Sequence, residues 1–66
     1  MEQQYQENNR GFKRGDMVEL TYYGQNVRGV IMKTTAFSIY VYDIHTNQII
    51  KNIQTRSRVI NLLQRF

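Results

Sequence analysis

Few side chains in this 66-residue sequence can do acid–base or nucleophilic chemistry. It holds five Asp and Glu residues, one His and no Cys. Proton transfer needs a titratable group positioned at the substrate, and covalent catalysis needs a nucleophile with an activating neighbour. Asp43 and His45 stand two positions apart at the end of an expected strand. They read either as a hydrogen-bonded pair or as part of a solvated turn. No phosphate-cradling or dinucleotide-binding glycine motif is present. Without cysteine, and with one histidine, a Cys/His metal site cannot be assembled. These residues imply a protein that is not an enzyme and needs no metal or cofactor.

Rings and cations carry the chemistry that remains. If Val18, Leu20, Phe37, Ile39 and Val41 point inward, alternation sends Tyr23, Tyr40 and Tyr42 outward beside Arg28 and Lys33. Exposed rings offer stacking platforms to bases, and neighbouring cations follow the phosphates. Charge points the same way. The formal net charge is +4, and after the last acid, Asp43, come Lys51, Arg56, Arg58 and Arg65. Such a run is either a solvated basic surface or a face for a polyanion. The same tyrosines would also suit a protein interface, where Tyr is enriched for its amphipathic ring.

Short strands must position these groups. Residues 1–11 are polar and without period, and read as a disordered arm in which Tyr5 is the one aromatic. Gly15-Asp16 is a turn signal ahead of a first strand over about 17–23, in which Val18, Leu20 and Tyr22 alternate with Glu19, Thr21 and Tyr23. Gly24-Gln25-Asn26 forms a turn, and a second strand covers about 27–33. Gly29 within it marks a bulge, a bend or a close backbone approach, and is read as the bend. Thr34-Thr35-Ala36 turns into a third strand over about 37–43. His45-Thr46-Asn47 turns into a fourth over about 48–54. That strand is apolar on both faces, so it is central or lies at an interface. Residues 58–63 read as a fifth strand entered through one helical turn, although Val59, Ile60, Leu62 and Leu63 also fit the face of a terminal helix. The expected class is all-β: a small, strongly bent, five-stranded barrel in one domain over 12–66.

Size adds a constraint. A domain this small buries only ~60% of its unfolded surface and is marginal alone. Without disulfides, it gains stability from β-branched packing or from oligomerisation. Open edges on five strands, the fourth above all, invite pairing with another copy. There is no signal-like start and no membrane-length apolar run, so the cytoplasm is the expected compartment.

Gly15-Asp16-x-Val18, with Gly29-Val30 further on, resembles the opening of SH3-like barrels of the KOW and Tudor type. The run Gly24-Gln25-Asn26-Val27-Arg28-Gly29, then Phe37-Ser38-Ile39-Tyr40-Val41, is similar to the first motif of the bacterial Sm-like (Hfq-like) family of RNA chaperones. The resemblance covers about residues 17–41, and 53–63 reads loosely as a second motif. It implies a bent barrel, assembly into rings through strand edges, and RNA as ligand, with Phe37 lining a base pocket. The family's N-terminal helix has no counterpart, its Tyr-Lys-His element is replaced by Ile50-Lys51-Asn52-Ile53, and Thr35 replaces its usual acid before Phe37.

The expected function is therefore non-catalytic binding of RNA or single-stranded DNA, carried by Arg28, Lys33, Phe37, Tyr40, Tyr42, Lys51, Arg56 and Arg58 in a homo-oligomer. The alternative is a protein-interaction module, a small regulator, inhibitor or adaptor, that uses the same tyrosine face or an open strand edge.

Overall fold

The computed structural model describes residues 11–55 and 59–65. The expected N-terminal arm and its Tyr5, apart from Gly11, lie outside these residues, as do Arg56 and Arg58. The described chain is all-β. Strands β1 (Met17–Tyr22), β2 (Gln25–Thr34), β3 (Ser38–Asp43), β4 (Gln48–Gln54) and β5 (Ile60–Gln64) form one antiparallel sheet in the order β4-β3-β2-β1-β5. Among the described residues, no pairing joins β4 to β5, so the sheet has two edges. No helix among them is long and apolar enough to cross a membrane.

Alternation builds the core. Val18 and Leu20 of β1, Val27 and Ile31 of β2, Ile39 and Val41 of β3, Ile53 of β4 and Ile60 of β5 are buried together, with Phe12 laid over them from the chain entering β1. Each such side chain contributes about 1.5–3 kcal/mol relative to an exposed position. On the outer face, one cross-strand row runs Gln64, Met17, Val30, Tyr42, Ile49.

Turn chemistry sets the registers. The first turn is tighter than the sequence suggests: Tyr22 pairs with Gln25, and only Tyr23 and Gly24 lie between them. Both have positive φ, 51° and 77°. That is the requirement of the hairpin turn whose twist matches its strands, and glycine meets it without steric cost. Gln25 and Asn26 therefore belong to β2. Gly29 is where β2 and β3 crowd each other. It pairs with Asp43, and a Cβ there would lie 2.6 Å from Val41 Cγ1 and would strike the Tyr42 carbonyl. It is a close approach between β2 and β3, the third of the three roles a strand glycine can take.

The expected inward set is corrected at Phe37, which is 47% exposed. β3 begins one residue later, because Thr35 and Ser38 close the turn on each other. The Thr35 N–H donates to the Ser38 carbonyl at 2.9 Å, and the Ser38 N–H donates to Thr35 Oγ1 at 3.1 Å. Phe37 sits inside that turn, and its carbonyl accepts from the Thr55 N–H (3.0 Å) and Thr55 Oγ1 (3.2 Å). β4 is an edge strand, not a central one. Ile53 is buried while Ile49 is half exposed. Residues 60–64 are strand, so the helical alternative fails there.

β5 is tied to the start of β1. A register shift between Met17 and Val18 leaves Leu63 as an extra residue: Val18 pairs with Leu62, and Met17 with Gln64. The shift brings Arg65 level with Asp16. Arg65 Nε donates to both carboxylate oxygens of Asp16 at 3.2 Å, and Nη2 donates to Asp16 Oδ2 at 2.9 Å and to the Gly11 carbonyl at 3.2 Å. The Asp16 side chain is 3% exposed.

Candidate nucleic-acid interface

Tyr40 is the centre of the outer face because both flanking strands are irregular beside it. On β2, Val41 pairs with Ile31 but Tyr40 with Lys33, so Met32 is an extra residue. On β4, Val41 pairs with Ile50 and Ile39 with Ile53, so Lys51 and Asn52 together face Tyr40. Asn52 has φ 62°, the left-handed conformation that accommodates the extra residue. Extra residues of this kind bend a strand and increase its local twist. Two such irregularities, one on each side, meet at the Tyr40 row.

The result is a ring between cations. Lys33 Nζ lies 5.4 Å from the Tyr40 ring centroid, within cation–π range. Lys51, on the other side of the row, is exposed. Neither lysine forms an ion pair among the described residues. Two positions along β3, the Tyr42 hydroxyl donates to Asn47 Oδ1 at 2.7 Å, which fixes the direction of its ring. Asn47 itself has φ 61° and donates its N–H to the Asp43 carbonyl at 2.9 Å, closing the β3–β4 turn.

The remaining expected site residues separate from this centre. Arg28 faces Glu19 across β1 and β2, Nη2 to Oε2 3.5 Å, and Asn26 Nδ2 donates to the same oxygen at 2.9 Å. Its charge is partly answered within the protein. Phe37 stands in the β2–β3 turn, outside the Tyr40 row. Tyr23 is 81% exposed, at the tip of the first hairpin, where it meets Tyr22 edge to face at 4.5 Å. Arg65, one of the C-terminal cations, is engaged by Asp16. Arg56 and Arg58 lie outside the described residues.

Asp43 and His45 meet through the backbone. The His45 N–H donates to Asp43 Oδ1 at 2.9 Å. That bond, with smaller help from Thr46 and the His45 charge, holds the carboxyl below its ordinary range against the cost of desolvation. Asp43 thus works as a turn residue. Among the described residues, no group of three His, Cys, Asp or Glu side chains gathers that could hold a metal.

Sequence reasoning named Tyr40, Lys33 and Lys51 as candidates but not the register that sets them side by side. The apolar triplet Val30-Ile31-Met32 and the positive-φ tolerance of Asn52 were the available signals. Comparison of this chain with family models, with curated proteins and with solved structures gives no match.

Proposed function

We propose that this protein is a non-catalytic binding module for single-stranded nucleic acid, RNA or DNA, and that the outer face around Tyr40 is its interface. The observation that carries this reading is the pair of strand irregularities that brings Lys33 and Lys51 to opposite sides of one tyrosine. A stacked base on Tyr40 would leave its flanking phosphates within the field of both lysines. Tyr42, with its ring direction fixed by Asn47, offers a second platform on the same strand. Arg28 and Phe37 extend the interface at lower weight, and the expected contributions of Arg56 and Arg58 fall outside the described residues. The extra residues beside Tyr40, of a kind that bends strands, support reading the open sheet as the wall of a small SH3-like or Sm-like barrel. The exposed edges of β4 and β5 support self-association.

Anisotropy of a labelled ten-nucleotide oligomer at low salt tests the interface. Tyr40→Ala should weaken binding by about 1–3 kcal/mol, the range for loss of one stacking ring. Wild-type protein that ignores every oligomer at low salt would end this reading. The alternative, a protein-interaction module, is favoured by a separate observation: the outer row from Met17 through Val30 and Tyr42 to Ile49 is continuous and largely apolar. Capture of one defined protein partner, with no oligonucleotide binding, would select it.

A further inference from the structure

Among the described residues, two asparagines hold the left-handed conformation, and they are used differently. Asn47 closes a turn, and its side-chain oxygen is occupied by the Tyr42 hydroxyl. Asn52 accommodates the extra residue of β4, is exposed, and makes no side-chain hydrogen bond among the described residues. The backbone there needs a residue that tolerates φ 62°, a need glycine would also meet. What asparagine adds is a primary amide, with two donor hydrogens and an acceptor oxygen.

The register gives that amide a place. In a regular sheet, an outward residue has one neighbour on each flanking strand in its own row. Tyr40 has two on each side: Met32 and Lys33 on β2, Lys51 and Asn52 on β4. The Lys33 ammonium lies over the ring, and the register sets Lys51 and Asn52 opposite Tyr40 on β4. The ammonium groups suit phosphates. The amide suits the edge of a base, because a carboxamide can donate and accept at once.

We infer that Asn52 is a specificity-determining residue that reads the edge of the base stacked on Tyr40, and that the base is adenine. The inference rests on the interface proposed above. Adenine follows from the pairing that a carboxamide most commonly makes, bidentate to N6 and N7. In a single strand these edges are open to a side chain beside the stacking ring. The rest of the oligomer is held by stacking and charge, without regard to sequence. The module would therefore bind single strands generally and favour an adenine at one position.

The test is anisotropy with labelled ten-nucleotide A, C and U oligomers at low salt, on wild-type protein, Asn52→Gly and Asn52→Asp. Glycine satisfies the backbone and removes the amide. Aspartate also tolerates the conformation, and it replaces the donor with a charged acceptor. A thermal melt of each variant checks the fold. Wild type should favour the A oligomer roughly tenfold, in line with one bidentate pair. Both variants should lose that preference, and Asn52→Gly should still bind C and U as wild type does. An unchanged A preference in either folded variant, or a wild type without one, would overturn the inference and leave the Tyr40 interface standing. Absence of all binding by wild type would remove both, which separates the two failures.

Discussion

Replacing Arg65 with alanine should destabilise the protein far more than the loss of one surface charge. An exposed ion pair is worth about 0–1 kcal/mol, whereas removing one partner of a fully buried pair costs about 3–5 kcal/mol. This pair falls between the two. Asp16 is 3% exposed and Arg65 is 47% exposed. After the substitution, Asp16 keeps the Lys13 N–H at 2.9 Å but loses the guanidinium. We expect a loss of about 2 kcal/mol, after discounting the buried range for the solvated arginine. In a domain of this size, that lowers Tm by about 8–16 °C. The effect should carry a pH signature. Hydrogen bonds from Arg65 lead, with the Lys13 N–H and the charges of both residues, in holding the Asp16 carboxyl below its unfolded value of 3.8, against desolvation. A depressed carboxyl contributes its full stability above the unfolded pKa and loses it as pH falls through the folded one. The Tm gap between wild type and Arg65→Ala should therefore be constant above about pH 5 and narrow as pH falls below about 4. Asp43 is also depressed, but it is present in both proteins and cancels in the difference. Thermal melts from about pH 3 to 7 read both quantities. A Tm within about 2 °C of wild type, or a gap that keeps its size in acid, would refute this assignment of the pair.

Gly29→Ala should also destabilise, since the new Cβ would strike the Tyr42 carbonyl and approach Val41 Cγ1 at 2.6 Å. A loss of about 1–3 kcal/mol or more is expected from overpacking against backbone, read as a lower urea midpoint. A wild-type midpoint would mean that β2 and β3 can part there without cost. At the interface, Lys33→Gln and Lys51→Gln should each reduce the slope of log K against log salt by about 0.7, the value for one phosphate contact on a single strand. Equal slopes for wild type and the double variant would place the phosphates elsewhere.

The sheet was legible in the sequence because its signal is local. Val18 and Leu20 on one side of β1, and Ile39 and Val41 on one side of β3, repeat at the two-residue period that a half-buried strand requires. The boundaries of β4 were readable from its flanks instead, between the Asn47 turn and the break at Thr55, since its own phase is unclear. Phe37 misled because its alternation with Ile39 is correct in phase, while the Thr35–Ser38 turn overrides it at the strand end. Gly29 was ambiguous because one glycine can serve a bend or a close approach, and the close approach shows only once β2 lies in register on β3. The candidate site was half legible. Residue types supplied a ring and two lysines, but their convergence depends on where two neighbouring strands each take an extra residue. That is a property of pairing between strands, not of either strand alone. The Asp16–Arg65 pair was hidden for the same reason: its partners stand at opposite ends of the chain and meet only through the shift at Leu63.

The strand order also has a kinetic meaning. β1 to β4 are successive hairpins, and each pairs with its sequence neighbour across a short turn. β5 alone must travel back, setting Ile60 against Leu20 across most of the chain. Non-local pairings incur their loop-closure entropy before their contacts repay it. A four-stranded meander is therefore the natural early structure, with β5 docking onto it late and Arg65 latching after it. Interactions made late chiefly set the rate of unfolding and leave the rate of folding alone. The arginine at the far end of the sheet would then act as a brake on opening: it governs how long the native state lasts, while the central hairpins govern how quickly it forms.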